Sequence, residues 1–173
     1  MEAKPNSSSQ GFTLTELVVV ILLLAIVSVV AATRFSGRQD YELYALQDQT
    51  IALVRQIQVN RMQYNGVNTN QNFILATQAI GGTSTNCLGS VEGCDLTLNR
   101  AEQRSDVVLT DNYQFTITAN NNRVSFDLLG NPTSATVEGG NIDIRISTLD
   151  GSNSSWVCIN SEGFVFPQNS GCI

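Results

Sequence analysis

The feature that most restricts this chain is an apolar run near its start. From Leu17 to Ala32, 16 residues pass with Ser28 as the only polar side chain, and no charge follows until Arg34. Counted from Phe12 the segment has 21 residues, about 30 Å as a helix and enough to cross the hydrocarbon core of a bilayer. Its one ionisable side chain is Glu16. A carboxylate costs free energy in lipid, and residues of this kind usually have a partner and a function. Two ordinary readings are available. Thr13-Leu14-Thr15-Glu16 has the form of a capping box, with Phe12 and Leu17 as a hydrophobic staple. Alternatively, residues 1–32 are a secretory signal peptide cut after Val30-Ala31-Ala32. That second reading fits poorly, because Lys4 is offset by Glu2 and the apolar core exceeds the usual 7–15 residues.

Gly11-Phe12-Thr13-Leu14-Thr15-Glu16 resembles the type IV prepilin signature. A short polar leader ends in Gly, Phe follows, an acidic residue stands fifth beyond the cut, and an uninterrupted apolar helix comes next. The resemblance implies a leader, residues 1–11, removed between Gly11 and Phe12, and N-methylation of the new Phe12 amine, both by a prepilin peptidase. It implies a cytoplasmic leader, an inner-membrane helix over residues 12–33 and a periplasmic globular domain. Partners would be other pilin subunits and the inner-membrane assembly platform. Glu16 then has a physical role: beside the positive amine of a neighbouring Phe12, in a dry environment, it gains an ion pair that sets axial register.

The chain has 173 residues, enough for one domain beyond the anchor. Fifteen acidic against nine basic side chains give a net charge of −6, which argues against nucleic acid as main partner. The absence of histidine excludes Ser-His-Asp and Cys-His catalysis and His-containing metal sites. We expect no cofactor and no metal, and not an enzyme. Asp95, Glu102, Asp106, Asp111, Asp127, Glu138, Asp143, Asp150 and Glu162 are scattered, without calcium-loop spacing. Charge does not fix orientation, since Arg34 and Arg38 oppose the weak signal of Lys4 and the amino terminus.

Beyond the apolar run the helical pattern persists. Leu43, Tyr44, Leu46, Ile51, Leu53, Val54, Ile57, Met62 and Tyr64 fall on about half the circumference, with Glu42, Asp48, Gln49, Arg55, Gln56 and Asn60 mainly on the rest. This predicts one helix from about Phe12 to Tyr64, around 80 Å long, with residues 34–66 as its amphipathic half. Gly66 ends it. Residues 67–106 are expected as a variable loop region, rich to about Asn86 in Asn, Gln, Gly and Thr, with one short strand at Phe73–Leu75. From residue 107 to 173 the period changes to two, predicting strands at 107–109, 113–118, 123–128, 142–147, 155–159 and 163–166. Closely spaced strands imply an antiparallel meander needing a cover, and the amphipathic helix supplies it. The expected class is α+β, a long N-terminal helix packed on an antiparallel sheet, as in the type IV pilin fold. Tyr113, Phe115 and Phe126 read as core strand positions.

Four cysteines allow three pairings. Cys87–Cys94 and Cys158–Cys172 are favoured because each closes a short local loop. Such bridges are structural, since no C-x-x-C is present, and they fit an oxidising compartment. Many type IV pilins close a similar C-terminal loop with a disulfide. Residues 125–132 and 157–165 each put a glycine, Gly130 and Gly163, after a strand. Physically these are strands turning at glycine; they also resemble the paired features of minor pilins and pseudopilins of the general secretion H type. The whole chain looks most like a minor subunit of the mannose-sensitive haemagglutinin (MSHA) type pilus. It departs from many major pilins in having Thr33 where they carry a helix-breaking Pro, which moves any local melting during assembly to Ser36-Gly37.

The expected function is a minor pilus subunit involved in assembly, adhesion and surface attachment. Alternatives are a minor pseudopilin of a type II secretion system and, in another class, a DNA-binding minor pilin. The last needs clustered basic residues, whereas Arg100, Arg104, Arg123 and Arg145 are scattered among more numerous acids.

Overall fold

The computed structural model describes residues 12–35, 38–66, 70–81, 83–133 and 140–172. The chain divides into two compact units, Met1–Gln39 and Asp40–Ile173. The first contains helix α1, Leu14–Phe35. The second holds nearly all of helix α2, Arg38–Met62. Residues 36 and 37, where local melting was expected, lie outside the described residues, as do the leader and Gly11.

Among the described residues eight strands follow α2. They are β1 Ile74–Ala79, β2 Asn86–Ser90, β3 Val107–Thr110, β4 Tyr113–Ile117, β5 Arg123–Ser125, β6 Ile142–Thr148, β7 Ser154–Ile159 and β8 Val165–Gln168. Two one-turn helices, α3 Val91–Cys94 and α4 Leu98–Ala101, lie between β2 and β3. All pairings are antiparallel, and they make two four-stranded sheets rather than one meander, in the orders β3-β2-β1-β5 and β4-β6-β7-β8. Asn86 Nδ2 donates to the Tyr113 carbonyl at 2.9 Å and Thr77 Oγ1 to the Phe115 carbonyl at 3.1 Å, tying β2 and β1 to β4.

One core serves both sheets. Leu43, Leu53, Val54 and Ile57 of α2 meet Leu75, Leu88 and Val124 of the first sheet and Phe115, Ile144, Ile146, Val157 and Ile159 of the second. Along β4 the burial alternates in and out from Tyr113 to Ile117, the period-two signature of a half-covered strand. Tyr113 and Phe115, and Phe126 just after β5, are core residues as the alternation predicts.

The stretch expected as loop, residues 67–106, departs most from the sequence expectation. It contains β1 and β2, which occupy the middle of the first sheet. Asn-Cys-Leu-Gly-Ser has almost no intrinsic strand preference, so β2 owes its conformation to partners on both edges. Gly89 is needed there: a Cβ would come within 2.5 Å of the Asp106 carbonyl oxygen and 2.8 Å of Val107 Cα. Phe73 sits in a single 3-10 turn, Gln71–Phe73, rather than in a strand. β5 stops at Ser125, three residues before the expected Leu128, because the chain turns at Asp127–Asn131. Pro167 lies on β8, an edge strand, where a missing N–H costs no ladder bond.

Candidate functional site

Thr13 starts α1. Its carbonyl accepts from the backbone N–H groups of Glu16 (3.1 Å) and Leu17 (3.2 Å), and its Oγ1 accepts from Glu16 N at 3.3 Å. This is the threonine half of a capping box. The other half is not made: among the described residues the Glu16 carboxylate has no hydrogen-bond or ion-pair partner. Phe12, one turn before Glu16, is 74% exposed. From Leu14 to Val30 every large apolar side chain of α1 is exposed within the chain. Ser28 donates to the Leu24 carbonyl at 2.6 Å, so the run's one hydroxyl is satisfied by its own helix. Leu14–Ala31 is long and apolar enough to cross a membrane.

Residues 6–32 match the prokaryotic N-terminal methylation motif. Neither the curated proteins nor the solved structures compared with the chain give a match. The motif is the type IV pilin-like signature. It points to a pilin or pseudopilin, a structural subunit processed by a prepilin peptidase and assembled with other pilins, rather than to an enzyme. An apolar helix at the start of the chain is consistent with the membrane anchor of such a subunit. The order of an N-terminal apolar helix, a second helix and antiparallel sheets is consistent with the type IV pilin fold.

Beside the apolar face read from the sequence, the second unit is held by polar side chains of α2 that sequence reasoning did not single out, Gln47, Gln58 and Arg61. Leu43, Gln47, Thr50, Val54, Gln58 and Arg61 run along α2 at spacings of three and four, which puts them on one stripe; all six are buried. The three long polar members donate to main-chain carbonyls of the sheet side. Gln47 reaches the Trp156 (2.7 Å) and Gln168 (3.1 Å) carbonyls, and Arg61 Nε that of Phe126 at 3.2 Å. Gln58 Nε2 donates to both Gly130 O and Gly163 O, each at 2.8 Å. The legible signal was a polar residue kept in an otherwise apolar register.

Those two glycines end turns of the same construction. Asp127 Oδ1 accepts from the N–H groups of Leu129 and Asn131, both at 2.8 Å, and Asn160 Oδ1 from those of Glu162 (3.0 Å) and Phe164 (2.7 Å). Gly130 and Gly163 have φ of 86° and 76°, a conformation that favours glycine. A Cβ on Gly163 would fall 2.4 Å from the Gly130 carbonyl oxygen. Desolvation pushes the Asp127 carboxyl up, but the backbone donors of Asn131, Leu129 and Gly130 and the Asn131 side chain together outweigh it and hold the group below the usual carboxylate range.

Disulfides join Cys87 to Cys94 and Cys158 to Cys172, with Cα separations of 5.8 and 5.7 Å. The first anchors a small second core with Ile80 and Ala101. Beside it Arg104 grips Asp106 with two bonds (2.7 and 2.6 Å), Ser90 Oγ donates to Asp106 at 2.6 Å, and Arg104 also reaches Asn72. Burial pushes the Asp106 carboxyl up, but the Arg104 and Ser90 hydrogen bonds and the Arg104 charge outweigh it and hold the group below its ordinary value. Among the described residues no three His, Cys, Asp or Glu side chains are grouped to hold a metal.

Proposed function

We propose that this chain is a minor structural subunit of a type IV pilus, acting in assembly, adhesion and surface attachment. The observation that carries this reading is the methylation motif on a helix whose apolar side chains are exposed all round, with the one carboxylate unpartnered. Such a helix has no aqueous resting place; it lies in lipid or against other apolar helices. The leader is cut between Gly11 and Phe12, the Phe12 amine is methylated, and the subunit waits in the inner membrane with its leader cytoplasmic and its disulfide-bonded domain periplasmic. It leaves the membrane as its helix packs beside those of neighbouring pilins. In that dry interior Glu16 accepts the charge of a neighbour's Phe12 amine and fixes the axial step between them. The bridges Cys87–Cys94 and Cys158–Cys172 then hold the domain outside the cell, where no reductant maintains thiols.

Mass spectrometry of the chain from membranes and from sheared surface filaments tests this. A chain beginning at N-methylated Phe12 in both fractions is expected. A chain beginning at Thr33 is the signal-peptide outcome and sinks the reading. The motif serves pseudopilins of type II secretion equally; correct processing with no chain in sheared filaments, and loss of exoprotein secretion on deletion, would favour that alternative.

A further inference from the structure

We propose that the outer edge of β3 is a docking site for an extended, positively charged peptide segment of a partner protein, which adds a strand to the first sheet. The two sheets have four outer strands, β3 and β5 in one and β4 and β8 in the other. An outer strand leaves a row of unpaired N–H and C=O groups, and folded chains normally close it. Among the described residues three of the four are closed. β4 has its Tyr113 and Phe115 carbonyls taken by Asn86 Nδ2 and Thr77 Oγ1. On β5 the Ser125 carbonyl accepts from Thr133 N at 2.8 Å, and Phe126 bridges to Pro132. β8 carries Pro167, which has no N–H to offer, and its Val165 carbonyl accepts from Arg55 Nη2 at 3.1 Å.

β3 has no such closure. Along an antiparallel pair, residues alternate between those bonded to the facing strand and those whose backbone groups point away. Ser90 N donates to the Asp106 carbonyl at 3.0 Å, which makes Asp106, Val108 and Thr110 the residues bonded to the β2 side. The N–H and C=O groups of Val107 and Leu109 therefore point outward. The other side of β2 agrees. Ile80 N donates to the Thr85 carbonyl, so Cys87 and Gly89, which lie opposite Leu109 and Val107, bond to β1 instead. No side chain among the described residues bonds the Val107 or Leu109 backbone. Beside this edge lies a groove of about 240 Å³, lined by Ala101, Glu102, Arg104, Val107 and Leu109. It gives one side chain of an added strand a seat next to Val107 and Leu109, which pack on the small second core. Main-chain bonds for affinity and a seated side chain for specificity are how strand addition recognises a peptide.

Charge selects the occupant. Residues 91–111 hold Glu92, Asp95, Glu102, Asp106 and Asp111 against Arg100 and Arg104. Arg104 is already held by Asp106 at 2.6 Å. Glu102 lines the groove and is exposed, and its carboxylate has no partner among the described residues. Asp111, also exposed, stands just past the end of β3. Lysine or arginine side chains along an incoming strand complement this rim. A second copy of this chain fits it worse, since it brings the same acids and a net charge of −6, and like charges across a strand pair are destabilising.

The test uses the full chain in a zwitterionic detergent and a fluorescein-labelled short peptide of alternating lysine and valine. Fluorescence anisotropy should give a Kd of about 0.1 mM, modest because the edge offers few backbone groups. The counterpart with glutamate in place of lysine should bind at least about tenfold more weakly. N-methylation of one alternate set of peptide nitrogens should abolish binding and of the other set should leave it, because only one set faces β3. Hydrogen exchange at the Val107 and Leu109 amides should slow about tenfold at saturating peptide. Glu102→Lys should weaken binding of the lysine peptide about tenfold without changing the melting temperature. No binding at millimolar peptide, equal binding of the glutamate peptide, equal binding of both N-methylated sets, unchanged exchange at Val107 and Leu109, or wild-type binding in Glu102→Lys would each overturn the proposal. So would protection of the same amides that rises with protein concentration alone, which assigns the edge to a second copy. Binding is read on isolated protein, so its failure is separate from failure of the filament reading.

Discussion

The two helices treat polar side chains in opposite ways. In α1 polarity is kept local where it is described: Thr15 meets Thr13, Ser28 bonds its own helix, and the Glu16 carboxylate has no partner among the described residues. In α2, Gln47, Gln58 and Arg61 point into the second unit and cap main-chain carbonyls of a different element. A helix whose polar groups find partners inside its own chain is finished as a folding unit. One whose single carboxylate finds none is finished only by another molecule. Side chains of α1 should therefore govern assembly without affecting folding, and those of α2 the reverse.

The largest effect expected is at Glu16. Glu16→Gln keeps shape and hydrogen bonding but not charge, and leaves a neighbour's buried amine unpaired, a loss of about 3–5 kcal/mol. Incorporation into sheared filaments, normalised to the membrane level, should fall at least a hundredfold while the melting temperature of the domain is unchanged. Wild-type incorporation would mean that Glu16 serves only the helix cap, and the comparison of the two helices would collapse.

Next comes Gly163→Ala on the α2 side. The added Cβ meets the Gly130 carbonyl and must adopt a positive φ, so a destabilisation of about 3 kcal/mol is expected. Gly151→Ala, also at positive φ but with open space around it, should cost about 1 kcal/mol. Equal costs would show that backbone strain, not the approach of the two turns, makes Gly163 necessary.

Removing Cys158–Cys172 by paired Ser substitution should lower stability by about 3 kcal/mol, more than removing Cys87–Cys94, because its loop spans 14 residues against seven. Peptide mapping checks the pairing itself, and a fragment joining Cys87 or Cys94 to Cys158 or Cys172 would refute it. Gln58→Ala orphans two carbonyls and should cost about 2 kcal/mol. Filament incorporation per folded molecule should stay at the wild-type level, and a drop would blur the division between the helices.

The smallest effect concerns pH. The Asp106 carboxyl is held below its ordinary value in the folded chain, so its contribution is complete above the unfolded value of about 4 and is lost as pH falls through the folded one. The melting temperature should therefore decline below about pH 4, and Asp106→Asn, less stable at neutral pH, should show a shallower decline. An identical slope in the variant would remove Asp106 from the acid response.

The sequence by itself determined helix α1. An apolar run and a threonine cap at Thr13 are local, and a local pattern needs no folded partner to be legible. It also carried the amphipathic pattern of α2 and the alternation of β4, because burial on one face imposes a period that composition cannot hide. What only the tertiary structure decided is where unremarkable residues meet. Strand β2 forms from Asn-Cys-Leu-Gly-Ser because β1 and β3 supply its hydrogen bonds on either side. Gln58 became a clamp because two turns more than thirty residues apart present their glycine carbonyls to one amide. Ser155 became a buried hydroxyl without a hydrogen bond because β7 turns it to the covered side of its sheet. Each depends on contacts distant along the chain, which leave no periodic trace, so propensity and spacing were silent about them.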